Sequence, residues 1–104
     1  MNWRSPKLLN KLNKLSLAGL LPCYWPIHHL CRGAVEAAHS NQQCDGKGMG
    51  IKAHDYRIAL LCHNAHAELD QGRQYTKDEK RIAWEAAHRR TIGLLFTDEI
   101  VKVA

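Results

Sequence analysis

A small α+β domain is what this sequence predicts, and three observations carry that expectation. The chain has 104 residues, the length of one domain with no room for two. Short apolar runs suited to strands, at 34–39 and 58–61, precede two helical patterns, the second opened by Thr76-Lys77-Asp78-Glu79. The composition, 45% hydrophobic and 24% charged, is that of a folded protein rather than a disordered one. No apolar run approaches the roughly 20 residues a membrane span needs, so an integral membrane protein is not expected. Aromatic residues are only 7%, which leaves Leu, Ile and Ala to carry most of the packing.

Taken in chain order, each element has its own warrant. Leu8, Leu12 and Leu15 recur at helical spacing with Lys7, Lys11 and Lys14 beside them, which predicts a short amphipathic helix or basic arm over residues 1–20. The run Leu15–Leu21 is at the minimum length for the apolar part of a signal peptide. Pro22-Cys23 follows it in place of a small-x-small cleavage site, so the segment reads as a retained arm. The main domain is expected over 21–104. It opens on Pro22–Gly33, a turn-rich knuckle with two prolines and two cysteines.

Ala34–His39 reads as a short strand ending at His39, although alanine favours strands weakly. Ser40–Gly50 reads as a loop containing Gly46, Gly48 and Gly50. Ile58–Leu61 suits a buried strand, and a helix is expected from about Cys62 to Gln71, with Gly72 as a left-handed cap. Thr76 and Glu79 have the spacing of a capping box, and Ile82, Ala83, Ala86 and Ala87 give that helix an apolar face as far as about Leu95. Ile100–Val103 is expected to be a last short strand.

The net charge of +5 is an N-terminal property. Arg4, Lys7, Lys11, Lys14 and Arg32 precede the first acid, Glu36, and the rest of the chain is neutral. A basic arm beside a neutral domain suits phosphate contacts, which give affinity without sequence choice. Arg4, Lys7, Lys11 and Lys14 are the candidates there. Lys47 and Lys52 flank the glycine loop and are candidates for neighbouring phosphates. A merely solubilising tail is the plainer alternative.

Cys23, Cys31, Cys44 and Cys62, with seven histidines, point to metal chemistry. Zinc is favoured over disulfides because thiolates and imidazoles are its ligands and a small core gains from a staple. Unligated core thiols remain an alternative, since no C-x2-C pair is present. His66 and Asp70 are four apart on the expected helix, so they share a face and could chelate one cation. His63 lies one turn earlier, and His39 ends the preceding strand.

The order of these residues resembles the HNH, or ββα-metal, nucleases with their treble-clef-like arrangement, and more closely the YbcO-like family of short phage and prophage proteins. The likeness covers about residues 22–104. It runs through Cys23-x7-Cys31-x-Gly33, Ala38-His39, Cys44-x-Gly46-x-Gly48, Lys52-Ala53-His54-Asp55, Leu61-Cys62, His66-x2-Leu69-Asp70, Arg90-Thr91 and Ile100–Val103. Members were assigned as nucleases largely from fold and histidines. The resemblance implies a ββα-metal domain with an added helix and terminal strand, located in the cytoplasm of a phage or prophage host.

The implied activity is a metal-dependent endonuclease, in DNA processing or recombination. His39 would be the general base that activates water. Asp55, near the position of the middle Asn, would orient it. His66 and Asp70 would hold a catalytic Mg²⁺ or Mn²⁺ at the scissile phosphate. Family members carry C-x2-C-H at the helix start, whereas here Ala65 stands where the second Cys belongs. Structural zinc would then rest on Cys23, Cys31 and Cys62, with Cys44 or His63 as fourth ligand. Expected partners are nucleic acid, DNA before RNA, and a second copy of the chain, but no membrane. Two other readings compete: a non-catalytic zinc module that binds nucleic acid, and a protein-interaction module docking through its Leu-rich first segment.

Overall fold

The structure, a computed structural model, describes residues 4–40, 54 and 56–97. Five elements follow one another: α1 (Pro6–Leu17), β1 (Val35–His39), β2 (Ile58–Cys62), α2 (His63–Gln71) and α3 (Lys77–Thr97). This is an α+β domain in which an antiparallel hairpin passes directly into a helix, the order of a ββα-metal arrangement. The glycine loop, Cys44, Lys47, Lys52, Asp55 and the expected strand Ile100–Val103 lie outside the described residues. None of the described helices is long and apolar enough to cross a membrane.

The N-terminal segment is a docked helix. Ser5 caps it, its hydroxyl accepting the Leu8 N–H at 3.2 Å, and Pro6 begins the first turn, where its missing N–H costs nothing. Leu8 and Leu12 are buried against the sheet, while Lys7, Lys11 and Lys14 are exposed along the helix flank. Ser16 Oγ donates to the Val35 carbonyl at 2.6 Å, fastening the helix to the outer edge of β1.

Strands β1 and β2 pair in the register Val35↔Cys62 to His39↔Ile58. All five residues of β2 are buried, because the hairpin is covered on both faces. One face carries Ala38, Ala59 and Leu61 against Ala65 and Leu69 of α2 and Ala83, Trp84 and Ala87 of α3. The other carries Val35, Ala37, Ile58 and Leu60 against Leu8 and Leu12 of α1 and Leu95 of α3. Long α3 therefore spans both clusters and closes the core. Its side chain Thr91 is fully buried, accepts the Leu60 N–H at 2.9 Å and donates to the Ala87 carbonyl at 2.8 Å. That bond satisfies a main-chain donor on the outer edge of β2. Tyr24 covers the same edge, its N–H donating to the Leu60 carbonyl.

The capping box forms as its spacing predicts. Thr76 N–H donates to Glu79 Oε1 and Glu79 N–H to Thr76 Oγ1. Gly72 differs from expectation. It ends α2 in an extended conformation, φ −66° and ψ 149°, not in the left-handed region. Glycine is needed there for space, since a Cβ would lie 2.5 Å from the Glu68 main-chain oxygen.

Candidate metal centre

The knuckle of residues 22–33 lies across the junction where β2 becomes α2. Three hydrogen bonds hold the knuckle and Ala34, the residue after it, in place. His63 N–H donates to the Ala34 carbonyl and Asn64 N–H to the Arg32 carbonyl. Asn64 Nδ2 donates to the Leu30 carbonyl at 2.8 Å. The first N–H groups of a helix have no partner within it, so here the knuckle supplies their acceptors. Gly33 makes this approach feasible. Its φ is +78°, and a Cβ would lie 2.5 Å from His63 Cβ.

This docking gathers Cys23, His29, Cys31 and Cys62, whose donor atoms all lie within 4.8 Å of one another. Cys62 is buried and caps α2, its Sγ accepting the Ala65 N–H at 3.4 Å. His29 Nε2 is 3.5 Å from Cys23 Sγ and 3.2 Å from Cys31 Sγ. Its other nitrogen, Nδ1, donates to the Ile27 carbonyl at 2.7 Å. That bond fixes the tautomer with the Nε2 lone pair directed at the sulfurs, as a metal-ligating histidine requires.

The donor set fits zinc. Bond lengths of about 2.3 Å to sulfur and 2.0 Å to nitrogen place tetrahedral N and S ligands about 3.5 Å apart, close to the two N–S separations observed. The electrostatics agree. Burial pushes the Cys62 thiol up, but N–H groups of Ala65 and Arg32, with Cys23 and His29, outweigh it and bring the pKa down to about 7. Burial and the neighbouring Cys23 and Cys62 push Cys31 up to about 11. One thiolate is thus favoured and crowds out a second; a dication is what lets all three sulfurs ionise together.

Among the described residues the fourth donor in this cluster is His29, which the sequence did not single out. Cys44 lies outside the described residues. His63 turns away, its side chain 69% exposed and its Nδ1 3.4 Å from Glu36 Oε2. The signal in the sequence was His29-x-Cys31, two donors on one turn-rich loop.

A second polar cluster sits on the same face of the hairpin. Glu36 of β1 reaches His66 Nδ1 at 3.0 Å, and His66 Nε2 is 3.4 Å from Asp70 Oδ2. Burial raises the Glu36 pKa, but the bonds from His66 and His63 outweigh it and hold the carboxyl below its ordinary value. Glu36 was not anticipated from the sequence.

His39 does not join this cluster. Side chains alternate along a strand, so Glu36 and Ala38 face α2 while Val35, Ala37 and His39 face α1. His39 accordingly lines a groove with Leu9 and Leu12 of α1. By that alternation it lies on the opposite face of β1 from Glu36. Of the other site candidates, Arg4, Lys7, Lys11 and Lys14 are exposed along or just before α1. Trp25 and Trp84 are both core residues.

Comparison of the chain with family models, with curated proteins and with solved structures finds no match. The site therefore rests on its own geometry: a small α+β domain with a Cys/His/Cys/Cys cluster at the end of a ββα unit.

Proposed function

We propose that this chain is a zinc-stapled module that binds nucleic acid through its phosphates without cutting it. The observation that carries the reading is the three-Cys, one-His cluster with His29 oriented by the Ile27 carbonyl. Zinc there ties the N-terminal knuckle to the strand–helix junction and presents a rigid domain. Support for the nucleic-acid partner comes from α1. Lys7, Lys11 and Lys14 recur at i, i+4 and i+7, exposed on a helix that Leu8 and Leu12 anchor. Such a row offers charge to phosphates and nothing that reads bases.

The test has two parts. Elemental analysis of the purified chain is expected to give one zinc per protein, lost in His29→Ala. Fluorescence anisotropy with a labelled DNA duplex, and an RNA duplex beside it, is expected to show binding that weakens with salt. The log–log slope should fall by about 0.9 for each Lys→Gln in Lys7, Lys11 and Lys14 that removes a phosphate contact. Absence of zinc, or a slope indifferent to those substitutions, overturns the corresponding half of the proposal.

One observation favours a second reading, the metal-dependent HNH-type endonuclease. His66 Nε2 and Asp70 Oδ2 are 3.4 Å apart, an imidazole–carboxylate pair open to solvent that suits Mg²⁺ or Mn²⁺, with Glu36 on the other ring nitrogen to orient it. In that reading His66 and Asp70 hold the cation, and His39 needs a route to the same phosphate from the opposite face of the hairpin. Metal-dependent nicking of supercoiled plasmid, abolished by His66→Ala and by EDTA, would establish it. Loss of nicking in His39→Ala as well would show that His39 reaches the phosphate.

A further inference from the structure

Between the end of α2 and the first half of α3 lies a cavity of about 450 Å³. That is within the range of small-molecule sites, roughly 300–1,000 Å³. Its apolar part is Leu69 and Trp84; its cations are Lys77, Lys80 and Arg81; its acids are Asp70 and Asp78. None of the three cations belongs to the basic N-terminal segment, and the metal centre uses none of them.

The lining says what kind of group the cavity takes. Trp84 is almost fully buried, with His88 stacked 5.0 Å away and the Arg57 guanidinium 4.8 Å over its ring. Its faces are occupied, so it cannot stack an incoming base and only closes the floor. Recognition falls to the charges. Lys77 and Arg81 stand at i and i+4, and Lys80 at i+3, so all three share one face of α3. The Lys80 ammonium donates to the Gly72 carbonyl, which fixes its position and leaves two N–H groups.

Neither acid closes the site. Asp70 Oδ2 faces His66 Nε2. Asp78 is 86% exposed and only 3.9 Å from Arg81, a surface pair that a stronger anion displaces at little cost. An arginine fork with two ammonium groups is a donor set for a tetrahedral oxyanion. Because Asp70 belongs to both, the cavity adjoins the Glu36–His66 cluster.

We infer that this cavity is a phosphate-binding site, with Lys77, Lys80 and Arg81 holding the phosphate group of a nucleotide or of a nucleic-acid strand. The inference deepens the nucleic-acid reading and rests on it for the carrier of the phosphate. It places a second contact across the domain from α1.

The zinc-loaded, ¹⁵N-labelled full chain would be titrated with inorganic phosphate, a nucleoside monophosphate and octathymidylate. Amide shifts at Lys77, Lys80 and Arg81 and the Trp84 indole shift are expected to saturate. Arg81→Gln and Lys77→Gln, both exposed and harmless to the fold, should each weaken binding about ten-fold or more. Saturation by phosphate and mononucleotide indicates a free phosphorylated ligand, and saturation by the octamer alone indicates a strand; either supports the site. Octamer binding that leaves these signals unmoved and is unchanged in Arg81→Gln overturns the inference while the nucleic-acid reading stands. Mononucleotide shifts at the cavity with no binding of octamer or duplex overturn that reading and leave the site. No shift with any of the three overturns the inference outright.

Discussion

Replacing Gly33 by alanine tests how the metal centre is assembled. Gly33 has φ +78°, and an L-residue in that region costs about 1–2 kcal/mol. The new Cβ would also lie 2.5 Å from His63 Cβ and 3.7 Å from His63 Cα. These atoms are fixed to the helix backbone and cannot rotate aside, so the contact adds an overpacking cost of about 1–3 kcal/mol. The expected loss is therefore about 2–5 kcal/mol. Gly19→Ala is the internal control: φ is +71°, but nothing lies within 4 Å of its Cβ, so only the conformational cost applies. Urea unfolding followed by circular dichroism reads both. With a slope of about 2 kcal/mol/M, Gly33→Ala should lower the midpoint by roughly 1–2.5 M and Gly19→Ala by about half that. Because Gly33 lies two residues after Cys31 and His63 follows Cys62, the clash should also weaken zinc binding, whereas Gly19→Ala should not. Equal destabilisation by the two substitutions, or unchanged zinc affinity in Gly33→Ala, would refute the docking argument.

Three further outcomes are expected. His29→Ala should raise the zinc Kd at least ten-fold in competition with a chromophoric chelator, whereas His63→Ala should leave it nearly unchanged, because His63 pairs with Glu36 instead. Thr91→Val keeps the volume but leaves the buried Leu60 N–H without its acceptor, so about 1–3 kcal/mol should be lost in urea unfolding, and Thr91→Ser should recover part of it. Glu36 has a folded-state pKa below its ordinary 4.5, so its contribution to stability is present above 4.5 and lost as pH falls through the folded value. Glu36→Gln should flatten the acid limb of the stability profile below pH 4.5; an unchanged limb would mean that the His66 and His63 bonds contribute nothing.

Much of the chain order was legible because local signals agreed with the fold. The capping box at Thr76 and Glu79, the short apolar runs and the position of Cys62 at a strand–helix junction all appear where the residues predict. The faces of the hairpin were not legible. Facing is a matter of parity along β1, and parity is readable only when a strand alternates between apolar and polar residues. Every residue of Ile58–Cys62 is buried, so β2 carries no such alternation. The order of residues thus suggested that His39 approaches His66, while β1 pairs Glu36 with His66 and turns His39 toward α1. His29 was missed for a different reason: a search for regular Cys spacing passes over a histidine two residues before Cys31. The extended end of α2 at Gly72 escaped because a glycine after a helix signals a left-handed cap more often than a tight contact.

The four donors are unevenly placed along the chain. Cys23, His29 and Cys31 share one short loop, and Cys62 follows a whole β-hairpin later. A cation held by that set is bound more tightly by the folded chain, which brings Cys62 to the loop, than by the unfolded one, so its concentration enters the folding equilibrium. Free zinc at 100 times its Kd would add at most about 2.7 kcal/mol, less whatever the Cys23–Cys31 loop binds when unfolded, and zinc withdrawn would add nothing. For a domain with so thin a core, that increment is a large share of total stability. The population of folded molecules would then rise and fall with the metal supply around them, which makes the zinc level a control on how much working protein the chain provides.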